Sequence, residues 1–203
     1  MKQLFISFTC LIAISVFGQT DEIYRLTFRD TSNFRLTTLL DRKMPKMFVI
    51  IDTTEVWNGN RFWLNDFDNK NKENIIKQIQ NDEHHPYFHS YLFSDPALDK
   101  IFPDKTKQEL RDKSKSFKSK KIKLNGENYK TVSSSKRLRG FYFVTSEPIF
   151  SDDNNFAFID MTVFYKDSDK QPFNETYFGS IALIFQKTGD SWTRIGKKDW
   201  LIL

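Results

Sequence analysis

The segment NFAFIDMTVFYK, residues 155–166, alternates between two sets of side chains along its whole length. One set of alternate positions is entirely apolar and consists of Ala157, Ile159, Met161, Val163 and Tyr165. The other set is mixed and consists of Phe156, Phe158, Asp160, Thr162 and Phe164. A period of two is the period of a β-strand, so the segment predicts a strand with one well-buried side.

Three runs of the same alternating kind flank this segment in the last third of the chain. They are GFYFVTSEPIF at 140–150, TYFGSIALIFQK at 176–187 and SWTRIGKKDWLIL at 191–203. The connections SDDN, DSDKQPFNE and TGD carry the Asp, Asn and Gly residues that link antiparallel neighbours. The C-terminal third therefore predicts an antiparallel meander of about four strands.

The beginning of the mature chain predicts a helix followed by a short strand. In DEIYRLTFRD, residues 21–30, helical spacing groups four side chains on one face: Ile23, Tyr24, Thr27 and Phe28. An alternating strand through Tyr24, Leu26 and Phe28 remains an open alternative for this segment. MFVIID at 47–52 predicts a buried strand, and RFWL at 61–64 is a candidate for a second one.

Two further helices are predicted before the meander. Isoleucines recur at helical spacing within residues 71–81, which predicts a short amphipathic helix. In TKQELRDKSKSFKSKK, Thr106 and Glu109 have the spacing of a capping box, which predicts a helix start there. Together these elements predict an α+β fold with N-terminal helices and one short strand, then the four-strand meander.

The first eighteen residues, MKQLFISFTCLIAISVFG, predict a secretory signal peptide. Their apolar run, residues 4–17, is shorter than the ~20 residues that span a bilayer. We therefore expect export through the Sec pathway to a periplasmic or extracellular location, with no transmembrane segment in the mature chain. Removing these residues removes Cys10, the single cysteine, so residues 19–203 are expected to form one domain without disulfides or thiol chemistry.

The short sequences SEPIF, FAFI, FQK, TGDSW and DW follow one another in the C-terminal third, and IY and IIDTTEVW precede them. Together they resemble a group of secreted, uncharacterised bacterial proteins common among the Bacteroidetes, a resemblance that implies no particular reaction. Relatives in that group carry a Cys-Gly pair where this chain has DSDKQPFNETYFG. The meander with its preceding helices is also similar to cystatin-like and NTF2-like domains, in which a curved sheet wraps a helix, and this similarity implies a fold only.

All three histidines lie in NDEHHPYFHS, residues 81–90. His85 and His89 have the spacing that places two imidazoles on one helical face, where they could share a metal ion. Pro86 lies between them and disfavours helical geometry, and no glutamate follows the first histidine as in a His-Glu-x-x-His hydrolase. Metal ligation by His85 and His89, in a small metal-dependent hydrolase that uses His84, His85 and His89, is the alternative hypothesis.

Residues 105–139 hold thirteen Lys and Arg against three acidic residues, while the rest of the mature chain is net acidic. Such a segment attracts anions, and outside the cytoplasm these are anionic lipid, lipopolysaccharide, acidic glycan or acidic protein. Its only aromatic residues are Phe117 and Tyr129, too few for a stacking platform, which argues against nucleic acid. The plainer interpretation is a solvated surface that keeps the protein soluble. The candidate anion-binding residues are Lys113, Lys115, Lys118, Lys120, Lys121, Lys123, Lys136, Arg137 and Arg139.

Several enzyme classes are excluded by the absence of their motifs from the sequence. The seven glycines form no Gly-rich loop, which excludes phosphate sites of the P-loop and dinucleotide types. The chain contains no Gly-x-Ser-x-Gly elbow and no calcium-binding loop of the EF-hand type. We therefore assign no catalytic residue and no cofactor. The favoured function is a non-catalytic exported domain that binds an anionic surface or partner through its basic segment.

Overall fold

A single mixed β-sheet organises the described part of the chain. The computed structural model describes residues 18–34, 45–57, 72–82, 84, 91–166 and 175–201. The order of strands across the sheet is β2-β1-β3-β5-β6-β7, and β4 pairs with β5. These seven strands are β1 (Phe48–Ile51), β2 (Tyr129–Val132), β3 (Gly140–Thr145), β4 (Ile149–Phe150), β5 (Phe156–Lys166), β6 (Glu175–Thr188) and β7 (Ser191–Leu201).

The predicted fold, with its four-strand antiparallel meander, is wrong because the sheet is larger and mixed. β3, β5, β6 and β7 pair antiparallel in that order, and β4 pairs antiparallel with β5. β1 is parallel to both β2 and β3, so a strand from the N-terminal half lies inside the sheet. β1 and β2 have only four residues each, too few for an alternating pattern to reveal their partners.

The described residues include four α-helices and two short 3-10 turns. Both helices predicted in the first half, over 21–30 and 71–81, are confirmed, so the strand alternative for 21–30 is wrong. The candidate strand at 61–64 lies outside the described residues. The helices are α1 (residues 18–29), α2 (Lys72–Asn81), α3 (Pro96–Ile101) and α4 (Asp104–Ser116), and the 3-10 turns are Thr31–Asn33 and Leu92–Ser94.

The helix predicted to start at Thr106 starts at Asp104 instead. Pro103 is its N-cap residue, and no side-chain hydrogen bond caps the helix. The predicted capping box is therefore wrong. The Glu109 carboxylate lies 3.2 Å from the ammonium of Lys113, one turn further along the same helix.

The first face of the sheet, which contains the apolar set of β5, is covered by α1. All four side chains of the predicted helical face are buried: Ile23, Tyr24, Thr27 and Phe28. The ring of Phe28 lies 5.9 Å from that of Phe34 and 6.4 Å from that of Phe48. Phe143 of β3 joins the same cluster, 5.5 Å from Phe48 and 6.0 Å from Phe28. The aromatic rings of α1, β1 and β3 thus form one continuous core.

Two hydrogen bonds fix α1 on this face. The Tyr24 hydroxyl donates to the Ser146 carbonyl at 3.1 Å, just beyond the end of β3. Burial raises the pKa of the Tyr24 phenol, and nearby Glu147 raises it further, so the phenol stays protonated and donates. Near the other end of α1, the Asn128 amide donates to the Phe28 carbonyl at 2.8 Å.

The second face of the sheet carries the mixed set of β5, and part of it is also buried. The ring of Phe102 lies 4.7 Å from that of Phe156 and 5.3 Å from that of Phe158. Ile79 of α2, Leu98 of α3 and Leu110 of α4 belong to the same buried cluster. The first half of β5 therefore packs against helices on both faces, which a period of two does not reveal. None of the described helices is long and apolar enough to cross a membrane.

Replacing Phe28 by Ala should remove the central ring of the first core. We expect Phe28→Ala to lower the free energy of unfolding by about 3–5 kcal/mol, because a fully buried aromatic ring is lost and a cavity remains. Urea denaturation followed by circular dichroism measures the change. Phe164→Ala is the matched control, since Phe164 lies on the second face and is partly exposed. Equal losses in the two variants would contradict the central place of Phe28.

Candidate anion-binding groove beside the basic segment

The nine predicted anion-binding residues do not form one surface of available charges. Four of them are held by carboxylates elsewhere in the described chain. The ammonium of Lys121 lies 2.5 Å from Asp52, and that of Lys115 lies 2.9 Å from Asp112. Lys120 pairs with Glu147, and Lys113 pairs with both Glu109 and Asp152. These pairs neutralise four of the nine candidate charges.

Lys113 has a structural role. Its ammonium donates to the Phe150 carbonyl at 2.7 Å and lies 2.6 Å from the Asp152 carboxylate. Burial acts to lower its pKa, but the hydrogen bonds to Asp152 and Glu109 act in the opposite direction, and the pKa is raised overall. Lys113 therefore ties α4 to β4 and to the turn that follows β4.

The other five predicted residues are exposed: Lys118, Lys123, Lys136, Arg137 and Arg139. Among the described residues, Lys118, Lys123, Lys136 and Arg137 form no ion pair. Lys136 and Arg137 belong to the loop between β2 and β3, where the buried Lys166 donates to the backbone carbonyls of Ser135 and Lys136. Lys123 is different, because it lines a groove together with Asp21, Glu22 and Arg25 of α1.

Residues 120–132 fold back on themselves at the β2 edge of the sheet. The Ile122 amide donates to the Asp52 carbonyl at 2.8 Å, and the Thr131 amide donates to the Leu124 carbonyl at 2.9 Å. The hairpin therefore lies along the edge of the sheet and beside α1. Lys123 comes to face the polar side of that helix.

A groove separates α1 from this hairpin. Its first part has a volume of about 470 Å³ and its second part a volume of about 430 Å³. The two parts adjoin, because Arg25, Asn125 and Tyr129 line both. The first part is also lined by Gly18, Asp21, Glu22, Lys123 and Leu124, and the second by Arg29, Gly126, Glu127 and Asn128. We call this feature the α1–hairpin groove.

Hydrogen bonds and close packing hold the hairpin wall of the α1–hairpin groove against β1 and α1. Tyr129 begins β2 and is 8% exposed, and its carbonyl accepts a hydrogen bond from the Gly126 amide at 2.9 Å. The Asn128 carbonyl accepts from the Phe48 amide at 2.7 Å, while its side chain bonds α1. A Cβ atom at Gly126 would lie 2.3 Å from the Tyr129 ring, so only glycine allows this close packing.

The α1–hairpin groove is lined by charges of both signs. Arg25 and Arg29 are four residues apart and project on the same side of α1. Arg25 makes one exposed ion pair, 3.5 Å from Glu22, and such pairs contribute little to stability. Asp21 and Glu22 line only the first part of the groove, and Arg29 lines only the second. Each part nevertheless carries charges of both signs, because Lys123 and Arg25 line the first part with Asp21 and Glu22, and Glu127 lines the second part with Arg25 and Arg29.

Tyr129 lines both parts of the α1–hairpin groove. Burial raises the pKa of its phenol, Arg25 opposes the increase and Asp21 adds to it. The phenol is therefore protonated at neutral pH.

Sequence reasoning missed Arg25, Arg29, Asn125 and Asn128. The two arginines lie in IYRLTFRD, on the polar side of the helical face that the sequence predicts. Their spacing is visible in the sequence, but nothing there shows that residues 123–129 lie opposite them.

The predicted metal site cannot be placed, since His85 and His89 lie outside the described residues. His84 is described, and its backbone amide donates to the Asp82 carboxylate at 2.9 Å. Within the described part of the chain, no group of three or more His, Cys, Asp or Glu residues is arranged to hold a metal ion.

A buried lysine on the second face also has a structural role. The Lys198 ammonium donates to the Ser94 hydroxyl at 3.0 Å, a pairing of the kind that some hydrolases use as base and nucleophile. Burial lowers the pKa of Lys198, while Asp95 and Asp199 oppose the decrease. However, Ser94 is fully buried and its hydroxyl donates to the Tyr91 carbonyl at 2.8 Å. The pair therefore connects β7 to the 3-10 turn at Leu92–Ser94.

Replacing Lys113 tests its structural role. We expect Lys113→Gln to lower the free energy of unfolding by about 1 kcal/mol, because its bonds to Phe150 and Asp152 are lost at a partly exposed site. Lys115→Gln is the matched control and should change stability by less than about 0.5 kcal/mol, since its ion pair is exposed. Urea unfolding measures both. Equal stability in the two variants would exclude the structural role of Lys113.

Acid should weaken the ion pair between Lys113 of α4 and Asp152 in the turn that follows β4. The hydrogen bond from Lys113 holds the pKa of Asp152 below its usual value. The Asp152 carboxyl therefore binds a proton more readily in the unfolded chain than in the folded chain. The ion pair with Lys113 stabilises the fold above about pH 4, and this stabilisation is lost as the pH falls through the pKa of Asp152 in the folded chain. The melting temperature of Asp152→Asn should be lower than that of the natural protein at pH 7, with the difference shrinking towards pH 3. A difference that does not shrink between pH 7 and pH 3 would mean that the carboxylate charge is not responsible.

Comparisons of the chain with protein-family models, with curated proteins and with solved structures found no match. Nothing in them links the chain to the secreted Bacteroidetes proteins or to cystatin-like and NTF2-like domains. The α1–hairpin groove is therefore the feature of the molecule from which a function is inferred.

Proposed function

We propose that this chain is a non-catalytic, exported binding domain that holds an anionic partner in the α1–hairpin groove. The observation that carries the proposal is that Arg25 lines both parts of this groove, with Lys123 beside it in the first part and Arg29 in the second. They come from two segments far apart in the sequence, and both segments are fixed by the core of the first face.

The chemistry of the groove supports an anionic ligand. A guanidinium presents a planar fork of donors that binds a carboxylate, sulfate or phosphate through two parallel hydrogen bonds. Arg25 and Arg29 are both exposed, and within the described chain Arg29 forms no ion pair. Two adjacent forks on one helix can hold acidic groups at two points, which fixes a ligand in orientation as well as position.

The surroundings of the groove support capture of a charged partner. Exposed cations of the basic segment, among them Lys118, Lys136 and Arg137, add a positive field that raises the rate of encounter with anions. This attraction extends over about 10 Å at 0.1 M salt and weakens as salt is added. The ion-paired lysines contribute less to this field, because nearby carboxylates cancel their charge.

The groove is less suited to nucleic acid. Single strands bind to exposed aromatic rings on which the bases stack. Tyr129 is buried and Phe117 is partly buried within the second core. Neither aromatic residue of the basic segment therefore offers an open ring face.

The alternative function, a metal-dependent hydrolase using His84, His85 and His89, stays a sequence-based prediction. Two of the three histidines lie outside the described residues. No contact among the described residues favours that function over anion binding.

Binding to a general polyanion tests the proposal. The triple variant Arg25→Gln, Arg29→Gln, Lys123→Gln should elute from immobilised heparin at lower salt than the natural protein. In solution its dissociation constant for heparin should rise tenfold or more, since a tenfold change requires only about 1.4 kcal/mol. Titration calorimetry at about 50 mM salt measures the affinity with little screening.

The matched control is the triple variant Lys105→Gln, Lys115→Gln, Lys118→Gln, which removes the same charge outside the groove. It should keep most of the affinity. Equal loss in both triple variants would show that binding depends on overall charge. No binding by the natural protein at about 50 mM salt would overturn the proposed function.

A further inference from the structure

We infer that the anionic partner is an extended peptide with charged side chains of both signs, and that it pairs as a short strand with the outer edge of residues 121–125. This inference rests on the proposed function and names the class of partner. It follows from the hydrogen bonds of the hairpin, from the place of its outer edge beside the α1–hairpin groove and from the charges that line this groove.

Every second residue of the segment 120–126 directs its backbone groups towards the sheet. The Lys120 carbonyl accepts a hydrogen bond from the Thr54 amide at 2.9 Å. The Ile122 amide, the Leu124 carbonyl and the Gly126 amide bond β2 or the residue that follows β1. Backbone groups of successive residues in an extended chain point to opposite sides. The residues between these four therefore direct their backbone groups away from the sheet.

These intervening residues are Lys121, Lys123 and Asn125. Lys121 and Asn125 lie opposite Thr53 and Lys130 in antiparallel bridges, and within the described chain their own amides and carbonyls, like those of Lys123, make no backbone hydrogen bond. Such an edge is a template for a further strand, whose main-chain hydrogen bonds supply affinity. At ~3.3 Å per residue, the edge has the length of a peptide of about five residues.

The outer edge borders the α1–hairpin groove. Lys123 and Asn125 line the first part of the groove, and Asp21, Glu22 and Arg25 of α1 line it from the other wall. This part has a volume of about 470 Å³. A strand added to the outer edge therefore lies beside the polar side of α1, within reach of charged side chains from both walls.

The charges of the groove select a peptide with both signs of charge. Four charged side chains of its lining form no ion pair within the described chain, and they are Asp21, Lys123, Arg29 and Glu127. A peptide with one sign of charge is attracted by two of them and repelled by the other two, whereas a peptide with both signs can pair with all four. The positive field of the basic segment adds a preference for a peptide whose net charge is negative.

The outer edge also discriminates against other extended chains. Lysines on a strand edge discourage pairing with chains that lack acidic side chains, and Lys121 and Lys123 lie on this edge. The hairpin itself is already fixed by its bonds to the sheet. Binding therefore orders the peptide alone, which limits the free-energy cost of association.

Two capped heptapeptides of equal net charge test the selection by charge. Glu-Thr-Lys-Thr-Glu-Thr-Glu carries both signs, and Glu-Thr-Gln-Thr-Glu-Thr-Gln carries the same net charge without a basic residue. In fluorescence anisotropy at about 50 mM salt, the natural protein should bind the mixed peptide at least fivefold more tightly than the acidic one. Equal affinities would overturn the selection of both signs.

The double variant Asp21→Asn, Glu127→Gln should weaken binding of the mixed peptide severalfold, because the partners of its lysine are lost. It should not weaken binding of the acidic peptide. The matched control is Glu73→Gln, Asp190→Asn, which removes the same charge at exposed positions outside the groove and should change neither affinity. Equal weakening of the mixed peptide in both double variants would contradict a role of the groove acids.

Methylation of the peptide amides tests strand pairing without altering the protein. Amides at odd and even positions of an extended peptide point to opposite sides. Methyl groups on one set should reduce the affinity of the mixed peptide tenfold or more, and methyl groups on the other set should leave it nearly unchanged. In the complex, hydrogen exchange measured by nuclear magnetic resonance should slow at the amides of Lys123 and Asn125.

The possible results separate this inference from the proposed function. No binding of the mixed peptide, equal effects of the two methylated sets, or unchanged exchange at Lys123 and Asn125 would overturn strand pairing. Heparin binding that depends on Arg25, Arg29 and Lys123 would then still support an anionic partner of another kind. Failure to bind both heparin and the mixed peptide would overturn both proposals.

Discussion

The packing of α1 against the first face of the sheet is the contact on which the rest of the described structure depends. Phe28 inserts between Phe34, Phe48 and Phe143, so one helix joins rings from β1 and β3 into a single core. Burying rings of this size supplies a large share of the hydrophobic stabilisation available to a chain without disulfides. β1 lies between β2 and β3 in the sheet, where its short run of apolar residues contacts this helix.

The same packing creates the α1–hairpin groove. The apolar side of α1 is held by the core, so the side that carries Arg25 and Arg29 must face outwards at the β2 edge. The hairpin is fixed to β1 and to α1 through Asn128. Contacts within the first core and the Asn128–Phe28 hydrogen bond therefore hold the two walls in place.

The structure divides the basic segment into two groups with different roles. Lys113 and Lys121 meet carboxylates from other parts of the chain, and their positive charge connects elements of the fold. Lys123 has no such partner among the described residues and reaches the groove. A count of charges along the sequence cannot make this division, because the carboxylates that neutralise the lysines come from distant segments.

Residue periodicity by itself determined the local elements: the strand at 156–166, the amphipathic helix at 72–81 and the buried face of α1. These patterns are visible because each repeats over several turns or pleats of one element. Only the tertiary structure decided that β1 and β2 join the sheet in parallel, since strand pairing is a long-range contact and four residues carry too little pattern to specify it. It also decided which cations face the groove, because ion pairs and cavities form between segments that the sequence keeps far apart.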